Sequence, residues 1–202
     1  MRRYITELIG TLFLVMGAIL GGGVGASLAL IIMVYAGGHI SGAHYNPAIT
    51  LAVLIRGKIG AKEVIPYWIS QIAGAFIAAL IVGYVFDVKS GGDCVIPDDG
   101  ILKAFAAEFL GTFALAYVVL NAAFAKATSG NSYYGLAIGG TVLAMALVIG
   151  RYSGGAYNPA VAAGLSLQGS FCWTHIWLYI VAGLGGAALA AVIFRLNNPD
   201  DL

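Results

Sequence analysis

Residues 38–48 read Gly-His-Ile-Ser-Gly-Ala-His-Tyr-Asn-Pro-Ala, and residues 153–160 answer them with Ser-Gly-Gly-Ala-Tyr-Asn-Pro-Ala. Each stretch starts a short helix. Proline in the first helical turn gives up only an N–H that has no partner there, and its φ is already helical. The asparagine before it is a good N-cap. The apolar runs that follow, 47–55 and 159–167, are nine residues long. At 1.5 Å per residue each rises about 13 Å, less than half a bilayer. They are therefore either interfacial or re-entrant. One Asn-Pro pair is an ordinary helix cap; two in matching positions point to a site.

Six longer apolar segments cover residues 4–20, 24–38, 65–86, 103–123, 135–149 and 173–194. Of the 202 residues 60% are hydrophobic and 9% charged, against about 25% charged in a soluble domain. This is a membrane composition, and no basic run exists to bind nucleic acid. Arg2 and Arg3 precede an apolar stretch as in a signal peptide, but Glu7 interrupts it and more apolar sequence follows, so it reads as a retained span. With the N-terminus inside, Arg2, Arg3, Arg56, Lys58, Lys62, Lys126 and Arg195 fall on the inner side and Lys89, Lys103 and Arg151 on the outer. That asymmetry fits the positive-inside rule and puts both termini in the cytoplasm, across a plasma membrane.

The halves repeat. Glu7-Leu-Ile-Gly-Thr matches Glu108-Phe-Leu-Gly-Thr, and Trp68 and Gly74 echo Trp177 and Gly183. The expected organisation is a single domain, 1–202, with a first repeat at 1–88 and a second at 103–196. Three spans per repeat force the second to enter from the opposite face, an inverted 3+3 arrangement. The fold class is thus an all-α membrane protein of six spans and two re-entrant half-helices. Asn46-Pro47-Ala48 and Asn158-Pro159-Ala160 then meet near the midplane, each at the positive end of a helix dipole. Such a site donates hydrogen bonds and repels cations.

Glu7 and Glu108 are ionisable groups inside spans, a default pointer to function. They serve either to accept hydrogen bonds from the loop backbone or to meet solute, and the first reading is preferred. His39 and His44 flank the first motif and brace the loop or turn a carbonyl into the pore; no third group completes a metal site. His175, between Trp173 and Trp177, reads as interfacial. Cys94 and Cys172 fall on the outer side, where either two thiols or a disulfide is open. No nucleophile–base pair, metal cluster or cofactor motif suggests an enzyme. A secondary transporter needs ion-coupling charges at mid-depth, for which only Glu7 and Glu108 qualify.

The Glu-x-x-Gly-Thr starts, residues 38–48 and the second Asn-Pro-Ala resemble the aquaporin and aquaglyceroporin, or major intrinsic protein, family over nearly the whole chain. The resemblance implies a homotetramer in lipid, one pore per subunit, and passive flux of water and small neutral solutes. It also implies an outer constriction of four residues, which family spacing puts at Ala26, Ala146, Gly155 and Val161. The last is usually arginine in the family, and Arg151 at the outer mouth is a candidate substitute, though a solvated arginine is the preferred reading. Glycerol-type members usually carry Asp at the next position, where this chain has Ala162. The implied filter is wide and apolar. Its cargo would be water with glycerol-like polyols, urea or neutral metalloid acids; a water-selective channel is the alternative.

Overall fold

The computed structural model describes residues 1–88, 96 and 100–201. The described residues form α1 (Arg2–Ser41), α2 (Pro47–Arg56), α3 (Ala61–Tyr84), α4 (Ile101–Val119), α5 (Tyr134–Val148), α6 (Pro159–Gln168) and α7 (Ile176–Asn197). A π turn, Leu120–Phe124, extends α4, and short 3-10 turns join the rest.

A straight helix of α1's 40 residues would be about 60 Å long. Gly22, at φ 56° and ψ −146°, breaks it. The arms fold back so closely that a Cβ on Gly17 would lie 2.5 Å from the Gly25 carbonyl oxygen. At the far end, a Cβ on Gly37 would lie 2.7 Å from Thr6 Cγ2. α1 is therefore a hairpin and supplies the first two spans, its turn being the Gly21-Gly22-Gly23 run. α3, Ile101–Phe124 and Trp173–Asn197 are each long and apolar enough to cross. α5 has 15 residues, about 22 Å, and completes six crossings. The half-helices α2 and α6 have ten residues each, about 15 Å.

The first arm of α1 packs on α3, and α4 packs on α7 in the corresponding way. The second arm packs on α5, while α2 lies against α7 and α6 against α3. Each half-helix is thus held by the last span of the other half. Close helix approach sets the register. A Cβ on Gly74 would come 2.3 Å from the Leu8 carbonyl oxygen, and one on Gly186 would come 2.3 Å from that of Phe109. Tyr67 Oη donates to the Ser41 carbonyl, and Tyr179 Oη to that of Ser153. The partner of Gly74 is accordingly Gly186, which corrects the echo of Trp68 and Gly74 in Trp177 and Gly183. Trp and Gly recur often in apolar spans, and those identities mark register less firmly than backbone contact does. Cys172 is disulfide-bonded, and Cys94 lies outside the described residues.

Candidate functional site

The two loops before α2 and α6 share one backbone shape. Gly42, Ala43 and Tyr45 have φ of 88°, 52° and 49°, and Gly154, Gly155 and Tyr157 have 86°, 68° and 48°. Positive φ is unfavourable for the tyrosines, so something must hold them. The carboxylates do. Glu7 accepts from Ser41 Oγ (2.6 Å), the His44 and Tyr45 amides (3.0 and 2.7 Å) and Gln71 Nε2 (2.8 Å). Glu108 accepts from Ser153 Oγ (2.6 Å) and the Ala156 and Tyr157 amides (3.0 and 2.7 Å). Converging backbone N–H groups form a concave anion nest, here filled by the protein's own carboxylate. Both glutamates are fully buried, and neither lines the central cavity.

The tyrosine rings need space, which glycine leaves. A Cβ on Gly10 would lie 2.1 Å from the Tyr45 ring, and one on Gly111 would lie 2.2 Å from that of Tyr157. Tyr45 Oη donates to the Met33 carbonyl and Tyr157 Oη to that of Met145, tying each loop to the second span of its own half.

From these loops the half-helices meet end to end. Asn46 Oδ1 caps α2 by accepting from the Ala48 amide (2.8 Å), and Asn158 Oδ1 caps α6 by accepting from Ala160 (2.9 Å). Their amides cross between halves: Asn46 Nδ2 donates to the Tyr157 carbonyl (2.9 Å) and Asn158 Nδ2 to that of Tyr45 (2.8 Å). A primary amide has two N–H donors, so each side chain keeps one for the lumen. Both asparagines line a cavity of about 70 Å³.

Ala26, Gly155 and Val161 line the same cavity, with Val161 buried beside the capped end of α6. Ala146 does not line it; its Cβ would lie 2.6 Å from a Cβ on Gly23, and Gly22 and Gly23 take the wall there. His44 lines the cavity and sets Nδ1 3.1 Å from Thr50 Oγ1. His39 is exposed at the end of α1 and holds no hydrogen bond to the loop among the described residues. Arg151 is exposed, donates to Tyr152 Oη (2.7 Å) and lies over that ring. Sequence reading missed Gln71 and Thr50 beneath the first loop. It also missed Ser41 and Ser153, although their matching places in the repeated motif were a visible signal. Among the described residues no group of His, Cys, Asp or Glu could hold a metal ion.

Apolar walls, two half-helices joined at their positive ends and a pair of free amide donors define a membrane channel for uncharged molecules. The chain belongs to the major intrinsic protein family, which matches residues 1–194. It is 36% identical to glycerol uptake facilitator protein-like 6 of Lactiplantibacillus plantarum, over the full length of both. It is 32% identical to Aquaporin Z of Bradyrhizobium diazoefficiens, covering 96% of this chain and 92% of that one. Aquaporin NIP1-2 of Arabidopsis thaliana is 36% identical over 86% of this chain, which spans 61% of the plant protein. The crystal structure of the aquaglyceroporin from Plasmodium falciparum has the same fold, with a TM-score of 0.80 at 21% identity, covering 98% of this chain and 97% of that one.

Proposed function

We propose that the channel passes water together with uncharged solutes bulkier than water, such as glycerol-sized polyols, urea or neutral metalloid acids. One observation carries this reading: the residue after the second Asn-Pro-Ala is Val161, and it lines the cavity. An arginine there would supply five donors and a fixed charge. Valine supplies neither, and Ala26 and Gly155 on the same wall add little bulk. An apolar wall removes polar compensation for a solute that has shed its water, so a bore wide enough for a partly hydrated solute suits it. The free N–H donors of Asn46 and Asn158 offer a hydroxyl or carbonyl oxygen its hydrogen bonds, while the two helix dipoles oppose cations.

The subunits assemble as a homotetramer in the plasma membrane with both termini cytoplasmic. Support comes from the apolar rows exposed on α1, Ile5, Ile9 and Phe13 on one arm and Val24, Leu28 and Ile32 on the other, which need lipid or a neighbouring subunit. The greater number of basic residues assigned to the inner side supports this orientation.

The test is Val161→Arg in proteoliposomes under stopped flow. Glycerol permeability should fall by at least about tenfold, a barrier increase near 1.4 kcal/mol, while water permeability falls much less. An unchanged ratio in a normally inserted variant would show that Val161 does not set selectivity.

A further inference from the structure

Two voids occupy the axis of the molecule. The central cavity of about 70 Å³ holds the asparagines, and a wider inner vestibule of about 630 Å³ lies toward the loop that follows α4. They share three wall residues, Ala43, Val119 and Ile138. Four segments change from one void to the other at this level. On the second arm of α1, Leu30 faces the cavity and Val34 the vestibule. On α4 the change comes at Val119, between Leu115 and Ala122; on α5 it comes at Ile138, between Val142 and Tyr134. In the first loop it comes at Ala43, between His44 and Gly42. Four separate segments make the change, on the inner side of the asparagine pair.

From these crossings we infer that an apolar ring of Ala43, Val119 and Ile138, and not the outer wall of Ala26, Gly155 and Val161, sets the largest solute this channel admits. This rests on the reading of the chain as a channel for solutes bulkier than water. The side chains decide between the two levels. The outer wall has one isopropyl group, from Val161, with a methyl from Ala26 and no side chain at Gly155, whereas the ring adds the sec-butyl group of Ile138 to the isopropyl of Val119 and the methyl of Ala43, all buried. The ring lies about 9 Å inward of Ala26 along the helix, at 1.5 Å per residue. Three apolar side chains give a passing solute no hydrogen bond, so size and desolvation govern passage there.

Local structure fixes the ring. Val119 is the last residue of α4 before the π turn Leu120–Phe124. That turn is held by Asn121, whose Nδ2 donates to the Tyr117 carbonyl, and by Thr128, whose Oγ1 donates to the Asn121 carbonyl. π turns are frequent at functional positions. This one carries Phe124 to within 6.1 Å of the His44 ring, just inside the constriction. On the opposite side, Ser27 Oγ donates to the Gly139 carbonyl (2.6 Å) and pins α5 to α1 beside Ile138.

The experiment compares glycerol with a five-carbon polyol in proteoliposomes made from wild type, Ile138→Ala, Val119→Ala and Ile138→Phe. The two truncations should raise the five-carbon to glycerol permeability ratio by about tenfold, the lower end of what one methylene is worth in an apolar pocket. Ile138→Phe should lower glycerol flux more than water flux. If one truncation fails to insert, the other with Ile138→Phe still decides the matter. A conducting wild type whose ratio survives the inserted variants unchanged overturns the ring and leaves the channel reading intact. A wild type with no solute flux above protein-free liposomes overturns both.

Discussion

The loop leading into α2 and the loop leading into α6 have the same backbone, the same carboxylate clamp and the same asparagine cap, yet their surroundings differ. Beneath the first, His44, Thr50 and Gln71 form a buried polar cluster: Gln71 Nε2 donates to Thr50 Oγ1 (3.0 Å), and Thr50 Oγ1 donates to the Asn46 carbonyl (3.1 Å). His44 Nδ1 lies 3.1 Å from the same hydroxyl. The matching places beneath the second loop hold Ala156, Ala162 and Gly183, and Gly183 lies against Pro159 and Thr112. The shared parts are what any chain needs in order to turn at mid-membrane depth, where backbone groups find no water. The cluster is additional, and nothing like it stands beside Glu108 beneath the second loop.

This contrast is easiest to break at the carboxylates. Glu108→Gln replaces one acceptor with an NH₂ group where three donors converge. The cost should be about 3 kcal/mol, the penalty for breaking a buried charge-assisted network. Glu7→Gln makes the same change beside a reserve. Gln71 Oε1 is buried without a partner, so a turn of that amide lets it accept from the new NH₂. Its cost should be nearer about 1.5 kcal/mol. Thermal unfolding of both variants in one detergent gives the order. Equal losses, or a larger loss for Glu7→Gln, would mean that the polar cluster is no reserve at all.

Where the halves agree, the effects should agree. Gly10→Ala and Gly111→Ala each drive a methyl group into a fixed tyrosine ring. Overpacking of this kind costs about 1–3 kcal/mol, and the two variants should lose about the same amount, since each methyl group meets a tyrosine ring at nearly the same distance. The same unfolding assay measures it. A marked inequality would show that the loops differ in rigidity as well as in polarity.

Much of this architecture was legible in the residues. The duplicated Asn-Pro-Ala and the paired Glu-x-x-Gly-Thr starts give the half-helices, the spans and their pairing, because caps and periodic apolar runs act locally. The hairpin in α1 was visible as Gly21-Gly22-Gly23, but its tightness was not, since the contact of Gly17 with Gly25 depends on how the arms cross. Gln71 was missed because a lone glutamine in an apolar span has no local signature; its meaning comes from the Glu7 carboxylate across the helix interface. Ala146 was placed by counting along the chain, whereas the wall at that level is formed by the glycines of the α1 turn. The ring of Ala43, Val119 and Ile138 draws on three distant segments, and no periodicity within one of them could announce it.

The smallest expected effect concerns Arg151, the cation nearest in sequence to the second loop. If it replaced the arginine absent at Val161, the second half would regain a charged filter and the contrast between the halves would weaken. Its geometry argues against that role. The guanidinium carbon lies 4.8 Å from the centroid of the Tyr152 ring and the group donates to that residue's hydroxyl, both on the exposed surface. A cation–π contact of this exposed kind contributes about 0.5 kcal/mol, too little to matter to folding. A guanidinium held outside the cavity cannot supply donors within it. Arg151→Ala should therefore leave the ratio of glycerol to water permeability where it is in wild type, measured by stopped flow in the same liposomes. A large rise in that ratio would return Arg151 to the pore and make the outer mouth, not the inner ring, the place to look for selectivity.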